Sequence, residues 1–248
     1  TMEIYLDVRA YDTKMITVLE IMGRNAGWLT AASALAGVEG LGPDLIYLPE
    51  IPFDLDKFID EAMAVYEKKK NIIIAVSEGI RDKDGKYIFE YGATLQKHTD
   101  AFGHVQLGGL AATLAGIMKQ KTGAKVRGIE FSLLQRCASH VASLTDVNEA
   151  YLAGQAAVQY AVQGVTDKMV AFERAEGPEY KCNIKLVNLT DVANVEKKVP
   201  REWINKEGNG VTEDFIKYAM PLIQGESRPP FENGLPRFAK LRKVLATK

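Results

Sequence analysis

Unbroken apolar runs separated by amphipathic stretches fill the first two-thirds of the chain. Residues 15–22 and 71–77 are rich in apolar and β-branched side chains, the pattern of strands covered on both faces of a parallel sheet. Between them, the alanine-rich residues 26–36 predict a helix and residues 44–49 a second strand. Residues 57–69 predict an amphipathic helix on which Phe58, Ile59, Ala62, Met63, Val65 and Tyr66 fall largely on one face. Asp54 stands where an N-cap belongs, and basic residues gather at the far end, where they complement the helix dipole. Further on, the pattern predicts a helix over 110–121, a strand over 125–134, a helix over 148–162 and a strand over 169–174. The 148–162 helix carries a small-residue stripe, Ala150, Gly154, Ala157 and Ala161, that suits close packing. The remainder is punctuated by Pro and Gly, with one more helix over 212–223. Strand, helix, strand, helix, strand is the α/β signature, so residues 1–174 read as one α/β portion and 175–248 as a C-terminal extension packing on the same or a missing lobe.

With 248 residues, 47 % of them hydrophobic, the chain can bury a sizeable core. Its 31 basic and 32 acidic residues give a formal charge of −1, which excludes a bulk field that gathers nucleic acid or an anionic membrane. A small anionic substrate must then be met by local arginines. Cys137 and Cys182 are too few for a disulfide framework and lack metal-ligand spacing, so a reducing, cytoplasmic compartment is the simpler inference. No apolar segment approaches the roughly 20 residues that span a bilayer. Residues 1–10 read as the tail of a helix whose start is absent, which suggests a fragment.

Chemistry concentrates where strands end. Gly23 and Arg24 join an apolar strand to a small-residue helix: glycine admits close backbone approach, a helix start offers free N–H donors, and arginine adds a planar charged fork. The same residues also suit a plain strand-to-helix turn with a solvated arginine. Glu78 places a carboxylate at the C-terminal edge of the sheet, as ligand or as an ordinary strand-end charge. Arg127 and Arg136, nine residues apart, either frame a phosphate or lie on the surface. Asp82 to Lys86 reads as a solvated turn; an EF-hand loop would need an acidic twelfth residue where Ala93 stands.

Met22-Gly23-Arg24 followed by Ala26-Gly27-Trp28 resembles the MGR-x-AGW segment of the 6-phosphofructokinases. The R-x8-R pair Arg127 and Arg136, followed by Asp146, Ala150 and Gly154, resembles a later segment of that family in the same order. The resemblance implies a three-layer αβα domain and transfer of a phosphoryl group from pyrophosphate or ATP to the 1-hydroxyl of fructose 6-phosphate. It implies that Glu78 binds sugar hydroxyls, that Met22 and Gly23 line the substrate site, and that Arg24 steadies the transferring group. Arg136 would contact the sugar phosphate within its own subunit, and Arg127 would reach into a neighbour's site, in a homodimer or homotetramer.

Lys14, which lies one residue out of register from a family arginine that serves a partner's 6-phosphate, and Leu133 and Gln135, just before Arg136, are site candidates placed below these. Leu133 replaces a histidine usual in ATP-dependent bacterial members, and Cys137-Ala138 replaces a Gly-Gly pair. Together with the segment from Asp100 to Leu107, this is closer to the pyrophosphate-using branch. Gly103 to Gly109 superficially copies the family's GH-x-Q-R-GG but has Leu107 for the arginine, and reads as a decoy or as a loop near the site. Glu50 matches a P-E turn where some relatives bind an allosteric nucleotide, and reads here as a plain loop carboxylate. The family's GGD-type loop, which holds donor and Mg²⁺, and its TIDND-type general base do not occur in these residues. The chain therefore reads as an acceptor-binding part, inactive alone, with Mg²⁺ held mainly elsewhere. The alternatives are a non-catalytic sugar-phosphate-binding or regulatory subunit, and a scaffold with a degenerate site.

Overall fold

The computed structural model describes residues 1–91 and 109–245. Its centre is a four-stranded, all-parallel sheet. After α1 (Met2–Ala10) the chain forms β1 (Met15–Ile21), the short helix α2 (Trp28–Ala32), β2 (Leu45–Tyr47), α3 (Leu55–Lys68) and β3 (Asn71–Ser77). Then come α4 (Leu110–Thr122) and β4 (Val126–Glu130). The order across the sheet is β2-β3-β1-β4, with Met15 opposite Asn71 and Ile16 opposite Val126. Every residue of β1 and β3 is buried, as their largely apolar composition favours in a sheet packed on both sides, the polar Thr17, Glu20, Asn71 and Ser77 included.

One face of the sheet packs Ile16, Val18, Ile72 and Ile74 against Phe58 of α3 and Leu110 and Leu114 of α4. The other packs Leu19 and Ile73 against Tyr5 of α1, and Ile21 and Ile46 against α2 and residues far along the chain, Val199, Ile204 and Phe215. The expected three layers are present. The Asp54 carboxylate caps α3 by accepting from the amides of Asp56 and Lys57, both at 3.0 Å, and Phe58, Ile59 and Ala62 are its buried face.

Past β4 the chain builds α5 (Leu144–Val162), the antiparallel pair β5 (Lys168–Arg174) and β6 (Cys182–Asn188), α6 (Leu189–Val192) and α7 (Glu213–Ala219). Four expectations need correction. The alanine-rich stretch is helical only from Trp28 and then tightens to a 3₁₀ turn over Ser33–Glu39. The strand expected over 125–134 stops at Glu130, and Ser132–Arg136 is a 3₁₀ turn that ends on Arg136. The fifth helix starts earlier, at Leu144, because the Ser143 hydroxyl accepts from the Asp146 amide at 3.1 Å and caps it. Its small-residue stripe is not packed: α5 buries no residue, and Gly154 has open space around it among the described residues. Strand β6 was not foreseen, and it pairs with β5 across residue 174. Among the described residues no helix is long and apolar enough to cross a membrane.

Candidate functional site

Strands β3, β1 and β4 are neighbours and parallel, so their carboxyl ends meet at one edge of the sheet, the usual place for a ligand in such folds. The loop leaving β1 is held there from several sides. The Met22 amide donates to Oε1 of Gln135 at 3.0 Å, the Gly23 amide to Oε1 of Glu78 at 3.1 Å, and the Ser77 hydroxyl to the Gly23 carbonyl at 2.6 Å. The Arg81 guanidinium donates to Oδ1 of Asn25 at 3.3 Å and lies over the Tyr87 ring. Gly79 is required by close approach: a Cβ on it would sit 1.7 Å from the Arg24 carbonyl oxygen.

These residues border a cleft of about 880 Å³ lined by Met22, Gly23, Glu78, Gln135, Arg136 and Asp146 among others. Arg24 follows Gly23 beside the cleft, half-buried; among the described residues neither it nor Arg136 makes an ion pair. Four sequence candidates and Gln135, placed lower, are thus brought together with Arg24 adjacent. Three are not. Lys14 precedes the opposite end of β1, its Nζ 4.3 Å over the Tyr66 ring. Seven strand residues at about 3.3 Å each put it roughly 23 Å from the cleft edge. Arg127 is exposed on β4 opposite Thr17, well before the strand's carboxyl end. Leu133 is 66 % exposed and does not line the cleft. The segment from Asp100 to Leu107, including His104, lies outside the described residues.

The short helix α2 also corrects an expectation. The Gly27 amide at its start is not free: it donates to Oε1 of Glu50 at 2.9 Å. The side-chain cations next to an anion in the cleft are Arg136 in its lining and Arg24 beside it.

Sequence reasoning missed Glu20, the one acid in the apolar run of β1 and its only visible signal. Glu20 is 2 % exposed, and its Oε2 accepts from the Ala111 amide at the start of α4 at 2.8 Å. Burial, reinforced by the nearby Glu130 and Glu78 carboxylates and opposed by the α4 amides, pushes its carboxyl up to about 7. Ser77 and Glu50, which hold the loop through backbone atoms, were likewise not singled out as holders. Among the described residues no group of three or more His, Cys, Asp or Glu could hold a metal ion.

The phosphofructokinase family model matches residues 3–129, half of the chain. The chain belongs to the phosphofructokinase family. It is 47 % identical over 247 residues to the pyrophosphate–fructose 6-phosphate 1-phosphotransferase of Halomonas elongata, a match covering 98 % of this chain and 58 % of that protein. It is 41 % identical over 252 residues to the protein of the same name from Methylococcus capsulatus, covering 99 % and 58 %. A solved pyrophosphate-dependent phosphofructokinase from Nitrosospira multiformis superposes with a TM-score of 0.84 at 37 % identity, over 100 % of this chain and 58 % of that one. The chain thus spans a little over half the length of the relatives it matches.

Proposed function

We propose that these residues form the fructose 6-phosphate-binding part of a pyrophosphate-dependent phosphotransferase that makes fructose 1,6-bisphosphate. The observation carrying this reading is the convergence of Gly23, Glu78, Gln135 and Arg136, with Arg24 beside them, at one sheet edge in a chain whose relatives bear that name. The chemistry suits a sugar phosphate. Oε1 of Glu78 is taken by the Gly23 amide, leaving Oε2 to accept from a sugar hydroxyl. Arg136 presents an unpaired fork for the 6-phosphate, and Arg24 supplies positive charge beside the 1-hydroxyl end, where charge develops during transfer. Lys14 and Arg127, outside the cleft, would serve a neighbouring subunit in a cytoplasmic homo-oligomer.

The family's Mg²⁺ does not fit a set of groups among the described residues, and no step is routed through it. The donor site and general base belong, in this reading, to a part of the enzyme that would pack on the open face of α5, where Val147, Tyr151, Leu152, Val158 and Val162 are exposed.

The test is Arg136→Ala in the intact protein, read by calorimetric binding of fructose 6-phosphate and by KM. Losing one charge-assisted contact of about 1.5 to 3 kcal/mol should weaken binding by roughly 10- to 150-fold. Unchanged affinity in a folded variant would sink the assignment.

A further inference from the structure

Glu50 follows β2 in a turn read from the sequence as a plain loop carboxylate, yet its surroundings are those of a clamp. One oxygen, Oε1, accepts from two backbone amides that are remote in sequence: Gly27 at 2.9 Å, where α2 begins, and Val199 at 2.9 Å, in the C-terminal extension. The other oxygen, Oε2, is shielded from solvent without a partner. Beside this junction the Trp28 indole N–H donates to the Lys197 carbonyl at 2.7 Å. The strap formed by residues 197–199 is therefore fastened at two points to Gly27 and Trp28. Val199 itself is 2 % exposed and packs with Ile21, Leu48 and Phe215. Gly27 is shaped for the contact, since a Cβ there would lie 2.8 Å from both Oε2 of Glu50 and Cδ2 of Leu48.

The consequence reaches the cleft, because Arg24 lies between two anchored points. Upstream, Met22 and Gly23 are held by Gln135, Glu78 and Ser77; downstream, Gly27 and Trp28 are held by Glu50 and the strap. A carboxylate suits the downstream anchor because it accepts two N–H bonds on one atom with full charge assistance, at a helix start where negative charge is favoured.

We propose that Glu50 is a positioning residue: its carboxylate locks the 197–199 strap onto the start of α2 and so sets where the guanidinium of Arg24 stands beside the cleft. This rests on the sugar-phosphate reading above. Small misplacements of such a group are costly in binding and rate. The C-terminal extension thereby contributes to the site without touching substrate.

The experiment compares Glu50→Ala and Glu50→Gln with the unsubstituted intact protein. Hydrogen exchange is followed at residues 22–29 and 195–200, together with fructose 6-phosphate affinity and the split between KM and kcat. Glu50→Ala should speed exchange in both segments and raise KM by about tenfold, while Glu50→Gln, whose amide oxygen can accept the same two bonds, should restore most of both. A Phe58→Leu variant, destabilised on the opposite face of the sheet, serves as a control and should leave KM near its original value. Unchanged exchange at Gly27 and Val199 in Glu50→Ala, or an equal KM rise in the Phe58 control, overturns the proposal. If the unsubstituted protein binds no fructose 6-phosphate, the functional reading falls, and the exchange comparison alone then decides whether the clamp exists.

Discussion

Replacing Glu20 by glutamine should change how stability depends on pH. In the folded protein the Glu20 carboxyl is buried in β1 and pushed up to about 7, against 4.5 for the free side chain. Between those values the folded state holds a proton that the unfolded chain has lost, so the folded state binds more protons and stability falls as pH rises. Below about 4.5 both states are protonated and nothing is lost; above about 7 the full cost is present. At 1.36 kcal/mol per pH unit, the displacement amounts to about 3 kcal/mol as an upper figure. Glutamine keeps a carbonyl oxygen for the Ala111 amide but carries no charge to bury. Glu20→Gln should therefore be close to neutral at pH 5 and stabilising by up to about 3 kcal/mol at pH 8. Urea denaturation of both proteins at pH 5, 6.5 and 8 reads this as a difference in midpoint that widens with pH. A difference that stays constant across that range would refute the reasoning, since it would mean that Glu20 ionises in the fold as readily as in the unfolded chain.

Gly79→Ala places a methyl group where the Arg24 carbonyl oxygen sits, 1.7 Å away, so it should lower unfolding stability by about 3 kcal/mol and weaken fructose 6-phosphate binding together; a variant with unchanged melting and affinity would show that the approach is not that close. If the general base lies outside residues 1–248, as the proposed function has it, these residues supplied with fructose 6-phosphate, pyrophosphate and Mg²⁺ should form no detectable fructose 1,6-bisphosphate, because loss of a general base alone typically costs about 10² to 10⁴ in rate. Coupled-enzyme detection of robust turnover would place a base and a donor site within these residues. In the intact enzyme, parallel assays should show pyrophosphate used in preference to ATP, and ATP use without pyrophosphate activity would overturn the donor assignment.

How far the chain could be read beforehand follows from the range of the forces involved. Strands β1 and β3 were legible because burial on both faces leaves an unbroken apolar run, and α3 because the Asp54 cap and the apolar stripe are local signals. The end of β4 and the 3₁₀ turn bearing Arg136 were not, since Phe131 to Arg136 is apolar enough to continue a strand. Strand β6 alternates apolar and polar side chains in a segment of mixed charge, and its partner is needed to reveal it. Within the site, Arg24, Glu78 and Arg136 stood out by their charged side chains and Gly23 by having none at a strand-to-helix junction. Gln135 was placed below them, Glu50 was marked only as a loop carboxylate and Ser77 not at all, because their role is to bind backbone atoms 23 to 149 residues away. Lys14 precedes β1 and Arg127 lies early on β4, so strand length carries both away from the edge where the cleft lies.

The closing of α2 by Glu50 narrows how an anion can be held. A helix start facing the cleft with free amides would have offered a phosphate site built from backbone, largely indifferent to side-chain replacement. Here α2 has five residues, Glu50 brings a carboxylate to the Gly27 amide at its start, and two further acids, Glu78 and Asp146, line the cleft, all of which disfavour a bare anion there. Arg136 lines the cleft with the two carboxylates and Arg24 stands beside it, neither arginine in an ion pair among the described residues, so no net field of one sign draws the ligand in. What remains is arrangement: an acceptor for hydroxyls at Glu78, a fork for phosphate at Arg136, and a second charge at Arg24 held in place from both sides. A ligand with a hydroxylated end and an anionic end satisfies such a site, whereas a bare anion meets as much repulsion from Glu78 and Asp146 as attraction from the arginines. On the sugar-phosphate reading proposed above, that placement of opposite charges would favour a phosphorylated sugar over inorganic phosphate, and it would require the loop bearing Arg24 to stay where Glu50, Glu78 and Gln135 hold it.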